Sequence, residues 1–134
     1  MIRKLGIVIA VVATMVLTVA VTTAGSPHFV GDCIKSQSGN TISATCKEAG
    51  LGDEAQITVT LTADASCINP GSNHPKAANK ASVAAGATIP VQNGKANYTV
   101  TGTATFSPDC SPPMTVVFSN VTVTDATNGI SVDP

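Results

Sequence analysis

From Gly25 onward, apolar and polar residues alternate one by one, and no stretch keeps the spacing of an amphipathic helix over several turns. Ile57, Val59, Leu61 and Ala63 interleave with Thr58, Thr60 and Thr62. Tyr98, Val100, Gly102, Ala104 and Phe106 interleave with Thr99, Thr101, Thr103 and Thr105. Successive side chains of a strand point to opposite faces, so this period of two, with β-branched residues in both rows, predicts two half-buried strands. A third, over 114–124, changes parity partway. Met114, Val116 and Phe118 share one face, Val121 and Val123 the other, and the slip near Ser119-Asn120 predicts a β-bulge.

Weaker strands fill the gaps. Residues 28–36 and 41–48 flank Gly39-Asn40, a two-residue hairpin signal. Residues 82–91 read as an edge strand, broken by Gly86 and Pro90. Asn93-Gly94 then turns the chain into the Tyr98 strand, and Asn128-Gly129 turns it into a last strand at 130–132. About seven short strands separated by turn signals predict an all-β fold, an antiparallel immunoglobulin-like sandwich. Residues 65–80 and 107–113 are rich in Pro, Asn and Ser and read as loops, each holding a cysteine.

The N-terminus has a different pattern. Met1, Ile2, Arg3 and Lys4 form a positive head, and residues 5–24 carry no charge. Thr22-Thr23-Ala24 supplies small residues at the exit of that apolar run, which together predict a secretory signal peptide, a helix over 1–24 cleaved after Ala24. The alternative is a retained anchor, because the run approaches the roughly 20 residues that span a bilayer. Gly6, Thr14, Thr18, Thr22 and Thr23 weaken it. Residues 25–134 form the single mature domain.

Cleavage changes the charge balance. Arg3 and Lys4 leave, so five lysines stand against eight acids, a net charge of −3. Without a basic stripe, the mature chain is a poor match for nucleic acid or anionic membrane. Its core must come from Val, Ile, Leu and Ala, since the chain has no Trp, one Tyr and three Phe. Covalent staples offset so thin a supply of bulky side chains.

Four cysteines in an exported chain predict two disulfides. With Gly39-Asn40 as the loop, Ser38 faces Thr41, and stepping outward puts Cys33 opposite Cys46 in a non-hydrogen-bonded pair. There the Cα atoms lie roughly 4.5 Å apart, within disulfide reach. This register also puts Lys35 on the face of Ile42 and Ala44, which an edge position would let it escape. Cys67 and Cys110 remain. The Leu61 and Ala104 strands run the same way, so both exits lie at one end of the fold and the two loops can be joined there.

Candidate chemistry is sparse. His28 stands near the expected mature N-terminus as a solvated side chain, and His74 lies in the Cys67 loop. No CxxC, HxH or HxxxH spacing suggests a metal site, and no cofactor is expected. Ser111 and Asp109 are conceivable neighbours of His74 across the Cys67–Cys110 bridge, but no nucleophile elbow surrounds them. Asp53-Glu54 reads as a solvated turn, and Asp64 and Asp125 as ordinary strand ends. The Thr rows suit a solvated sheet face, with ice binding the sharper but disfavoured alternative. Besides Phe only Tyr98 could form an aromatic platform for a sugar, and its inward parity weakens that reading without excluding it. Asn97-Tyr98-Thr99 and Asn120-Val121-Thr122 are acceptors for N-glycosylation in a eukaryotic host.

Three stretches carry a resemblance: Lys47-Glu48-Ala49-Gly50-Leu51-Gly52; Cys67-Ile68-Asn69-Pro70-Gly71 with Ala77-Ala78-Asn79-Lys80; and Cys110 through Asp125. There the chain resembles a loose group of uncharacterised small exported immunoglobulin-like β proteins with two disulfides. Those are turn and disulfide features, so the resemblance implies a fold and no activity. The expectation is a secreted, non-catalytic binding or structural module of the cell surface or matrix. Its partner would be an extracellular protein, a glycan or a cell-envelope component, met by a binding loop of Asn73, His74, Lys76, Asn79 and Lys80 with Asp109 beside it. The alternative is a secreted hydrolase or protease inhibitor acting through the Cys67 and Cys110 loops.

Overall fold

The computed structural model describes residues 26–71 and 79–134. The expected signal segment lies outside them, as do Asn73, His74 and Lys76. Within the described residues the alternation resolves into eight strands: β1 (His28–Phe29), β2 (Ile34–Ser38), β3 (Thr41–Ala49), β4 (Gln56–Ile68), β5 (Lys80–Pro90), β6 (Ala96–Thr103), β7 (Thr115–Asp125) and β8 (Ile130–Val132). They form two antiparallel sheets. In the first, β6 flanks one side of β3, while β1 and β2 lie end to end along the other. In the second, the order is β5-β4-β7-β8.

Turn chemistry places the strands. Gly39 has a φ of 57°, and Asn40 stays outside the left-handed region. This is the pattern of a type II′ hairpin turn, and it sets the register from Ser38↔Thr41 to Ile34↔Thr45. Asn93 and Gly94 both have positive φ, 52° and 71°, the mark of a type I′ turn. This second turn carries the chain out of β5 in one sheet and into β6 in the other.

The bulge falls where the parity slips. Thr62 pairs with Thr122, but Asp64 pairs with Ser119, so Ala63 alone opposes Asn120 and Val121. Asn120 takes the left-handed backbone, φ 51°, which Asn tolerates better than most residues. The extra residue returns Val121 and Val123 to the core side.

Three expectations about element bounds need correction. The strand read over 28–36 is two strands: the Val30 N–H still donates to the Lys47 carbonyl at 2.8 Å, and the chain then leaves the β3 ladder over 31–33, with Gly31 at φ 68°. Strand β4 runs on to Ile68, and β5 begins at Lys80, so part of the first loop is ladder and Cys67 is a strand residue opposite Val116. Ala65, Ser66 and Cys67 are small residues that do not advertise a strand, yet Ala63, Ala65 and Cys67 continue the buried row. Strand β6 stops at Thr103, although Ala104 and Phe106 stay buried. Its partner β3 begins only at Thr41, so Asn40 takes over: its carbonyl accepts from the Ala104 N–H at 2.8 Å, and its Nδ2 donates to the Ala104 carbonyl at 3.0 Å.

The two inner faces share one core, with Ile42, Ala44 and Val100 from the first sheet against Ile57, Val59, Leu61 and Val123 from the second. Lys35 sits opposite Ala44 but on an edge strand exposed along its whole length, so its ammonium meets water. The sheets approach closely at Gly102. A Cβ there would run into Val83 Cγ1 and lie 3.7 Å from Leu61 Cδ2. Val83 is β-branched and buried, so it cannot swing aside. Gly102→Ala is therefore expected to destabilise the fold by about 1–3 kcal/mol through overpacking. An unchanged urea midpoint would show that the sheets can part at no cost.

Candidate functional site

Two ends of the fold gather polar chemistry. At the first, β4 exits, β7 enters and the β2–β3 turn lies alongside. Cys67, 3% exposed, is joined there to Cys110, with Cα atoms 5.7 Å apart. The other bridge, Cys33–Cys46, lies well down the first sheet with Cα atoms 4.5 Å apart. Both disulfides are those the hairpin register and strand directions predict. An open groove of about 510 Å³ adjoins the Cys67–Cys110 bridge, lined by Gln37, Asn40, Cys110, Pro112, Met114 and Val116 among others. Gln37 Nε2 crosses between the sheets here and donates to the Val116 carbonyl at 2.8 Å. That bond caps one acceptor on the β7 edge that the short β8 leaves open.

Of the loop residues expected to bind, the described ones fall at this end. Lys80 is the exposed first residue of β5, opposite Ser66, and Asn79 is half-buried just before it. Asp109 is exposed beside Cys110. Lys80 also lines a shallow depression of about 450 Å³ on the outer face of the second sheet, with Asp64, Ser66, Ser82 and Ser119. Asp64 does not end a strand as read from sequence. It sits within β4, where its Oδ2 accepts from Asn120 Nδ2 at 2.8 Å across the bulge. Asn97 is exposed on β6, and Asn120 is exposed in the bulge.

The other end holds a cluster that the alternation of apolar and polar residues does not single out. Glu48, on β3, is 1% exposed, and Asp125, at the end of β7, is 0% exposed. They come from opposite sheets. The Tyr98 hydroxyl donates to Glu48 Oε2 at 2.6 Å, leaving Oε1 buried without a partner of its own. Asn128 holds Asp125: its N–H donates to Oδ1 at 3.1 Å and its Nδ2 to Oδ2 at 2.7 Å. The same Nδ2 donates to Glu54 Oε2 at 3.0 Å, so Glu54 is half-buried in this network and not a solvated turn residue.

Burial raises the Glu48 carboxyl from 4.5 to about 7, and the neighbouring Asp125 adds to that, against the Tyr98 hydrogen bond, which opposes it. Burial and the adjoining Glu48 push the Tyr98 phenol up. Parity was the signal available. Glu48 continues the inward row of Ile42, Ala44 and Cys46, and Asp125 continues that of Val121 and Val123.

The outer face of the first sheet carries a ladder of paired hydroxyls. Thr41 meets Thr103 at 3.2 Å, Ser43 meets Thr101 at 2.9 Å and Thr45 meets Thr99 at 2.8 Å. Cross-strand pairs of this kind stabilise a sheet by a few tenths of a kcal/mol each, up to about 1. His28 is exposed, and its Nδ1 donates to the Ser26 carbonyl at 2.7 Å.

Among the described residues, no group of three or more His, Cys, Asp or Glu is placed to hold a metal ion, and no helix is long and apolar enough to cross a membrane. In comparisons with known proteins, no family model matches this chain, and no curated protein or solved structure gives a significant match.

Proposed function

We propose that this chain is an exported, immunoglobulin-like module that acts by non-catalytic binding or as a structural part of a cell surface or matrix. The strand order supports the fold reading. With β1 and β2 taken together as A, β3 as B, β4 as C, β5 as C′, β6 as E, β7 as F and β8 as G, the sheets read A–B–E and C′–C–F–G. An immunoglobulin-type Greek key with a C′ edge strand would divide its strands between two layers in this way. The chain departs from antibody domains in having no Trp on C and in stapling A to B and C to the E–F connection. Export is supported by the two disulfides, which persist in oxidising compartments.

The observation that carries the binding role is the Cys67–Cys110 bridge beside its groove. It anchors the long E–F connection to a central strand, so the loops at this end are held on a rigid base. Long loops on such a base are often where binding resides. The immobilised full chain is expected to retain a component of host culture supernatant or envelope extract. Lys80→Ala with Asp109→Ala, and separately His74→Ala with Lys76→Ala, are expected to abolish retention at an unchanged melting temperature. Full retention by both variants would remove the binding role from this end.

One observation favours a second reading, protease inhibition. Residues 107–113 are exposed except for half-buried Cys110, which anchors the segment. Stoichiometric protection against one of a panel of proteases would establish it.

A further inference from the structure

Among the described residues, no cation acts on the pair of carboxyls that joins the two sheets. Glu48 is reached by Asp125 from β7, Glu54 from the 50–55 loop and Tyr98 from β6, and none of these carries positive charge. From β1, Phe29 lies opposite Glu48, while the His28 imidazole is engaged with Ser26. Lys47 and Lys95 neighbour the cluster in sequence or turn, but neither is among the groups acting on Glu48. Asn128, from the 126–129 loop, donates one hydrogen bond to each Asp125 oxygen, which leaves a lone pair on each for a further donor.

Two buried carboxylates side by side without a counter-ion repel, and proteins relieve this by keeping one proton between them. Oε1 of Glu48, buried and otherwise unpartnered, is the atom free to carry it.

We propose that this end of the fold is a proton-dependent clasp: protonated Glu48 donates from Oε1 to Asp125 and ties the two sheets, and loss of that proton to water loosens the 50–55 and 126–129 loops. The sign follows from the direction of the shift. A carboxyl whose affinity for protons is higher in the folded chain stabilises the fold in acid, and that stability is lost as pH rises through the folded value. With Glu48 raised from 4.5 to about 7, the loss accumulates across that interval and is complete just above it. The full shift corresponds to about a 300-fold change in the folded-to-unfolded ratio, most of it between about pH 5 and 8. The module is tightest in acidic surroundings.

The test is urea unfolding of the full chain across that range, with Glu48→Gln as the comparison. Glutamine keeps an acceptor for Tyr98 and a donor for Asp125 but cannot ionise. The wild-type ratio is expected to fall by one to two orders of magnitude more than that of Glu48→Gln. Exchange of amides in the two loops should rise with pH faster in wild type than in the variant. Should the variant fail to fold, the Glu48 carboxyl carbon of wild type, followed by NMR, is expected to titrate near pH 7. Titration in the ordinary carboxylate range would overturn the proposal, as would parallel pH profiles for the two proteins. Recovery of wild-type stability at pH 8 by calcium alone would also overturn it, by making the cluster a cation site.

Discussion

Replacing Cys67 and Cys110 by alanine is expected to lower the free energy of unfolding by about 4 kcal/mol, the larger of the two disulfide effects. The bridge closes a loop with a sequence separation of 43, against 13 for Cys33–Cys46. Loop-closure entropy grows with the logarithm of that length, which gives roughly 4 kcal/mol for the long loop and roughly 3 for the short one. In the folded state the bridge is packed where β4 and β7 pair at Cys67↔Val116, with Met114 Sδ 3.7 Å from Cys67 Sγ. Against a typical total of about 5–15 kcal/mol, losing either bridge is serious and losing both leaves the fold marginal. Urea unfolding of the two double variants decides the order. A cost under about 1 kcal/mol for the long loop would mean that the unfolded chain is constrained by something other than the cross-link.

Leu61→Ala is the second large effect, expected to cost about 3 kcal/mol or more. Leu61 is fully buried in the central strand of the second sheet, paired with Ala85 on one side and Val123 on the other. Its Cδ2 points across the core toward Gly102, where the facing sheet offers no side chain. Truncation removes the transfer energy of the lost carbons and leaves a cavity. Small neighbours such as Ala85 and Gly102 cannot reach in to fill it. Val117→Ala makes the control, because Val117 is 45% exposed and its truncation is expected to move stability by under about 0.5 kcal/mol. Equal, small losses for both variants would show that the core is not close-packed around Leu61.

Much of this architecture is legible in the chain because alternation, turn residues and burial agree. Residues 57–63 and 98–103 read as strands in sequence and are strands. The parity slip at Asn120 is a bulge, and the Gly39-Asn40 register delivers Cys33 to Cys46. The failures have local causes. Ala65, Ser66 and Cys67 have side chains too small and Asn69-Pro70 too turn-like to signal that β4 continues, so the pattern reads as loop where the neighbours β5 and β7 hold a ladder.

The acid cluster escapes the sequence pattern for a different reason. Glu48 and Asp125 follow the inward rows, but a carboxylate is expected outside unless something neutralises it, and its partner comes from another sheet. Local pattern shows which face a residue takes, and only the packing of the sheets shows what meets it there. The hydroxyl rows, by contrast, were legible as outward faces from Thr spacing alone.

Non-reducing peptide mapping by mass spectrometry of the protein from its native medium tests the central claim most directly, that a two-sheet fold poor in bulky side chains is held by two cross-links formed outside the cytoplasm. The account predicts peptides joined as Cys33–Cys46 and Cys67–Cys110 and an N-terminus beginning at Gly25. Free thiols in the intact protein, or a chain that still starts at Met1, would contradict it.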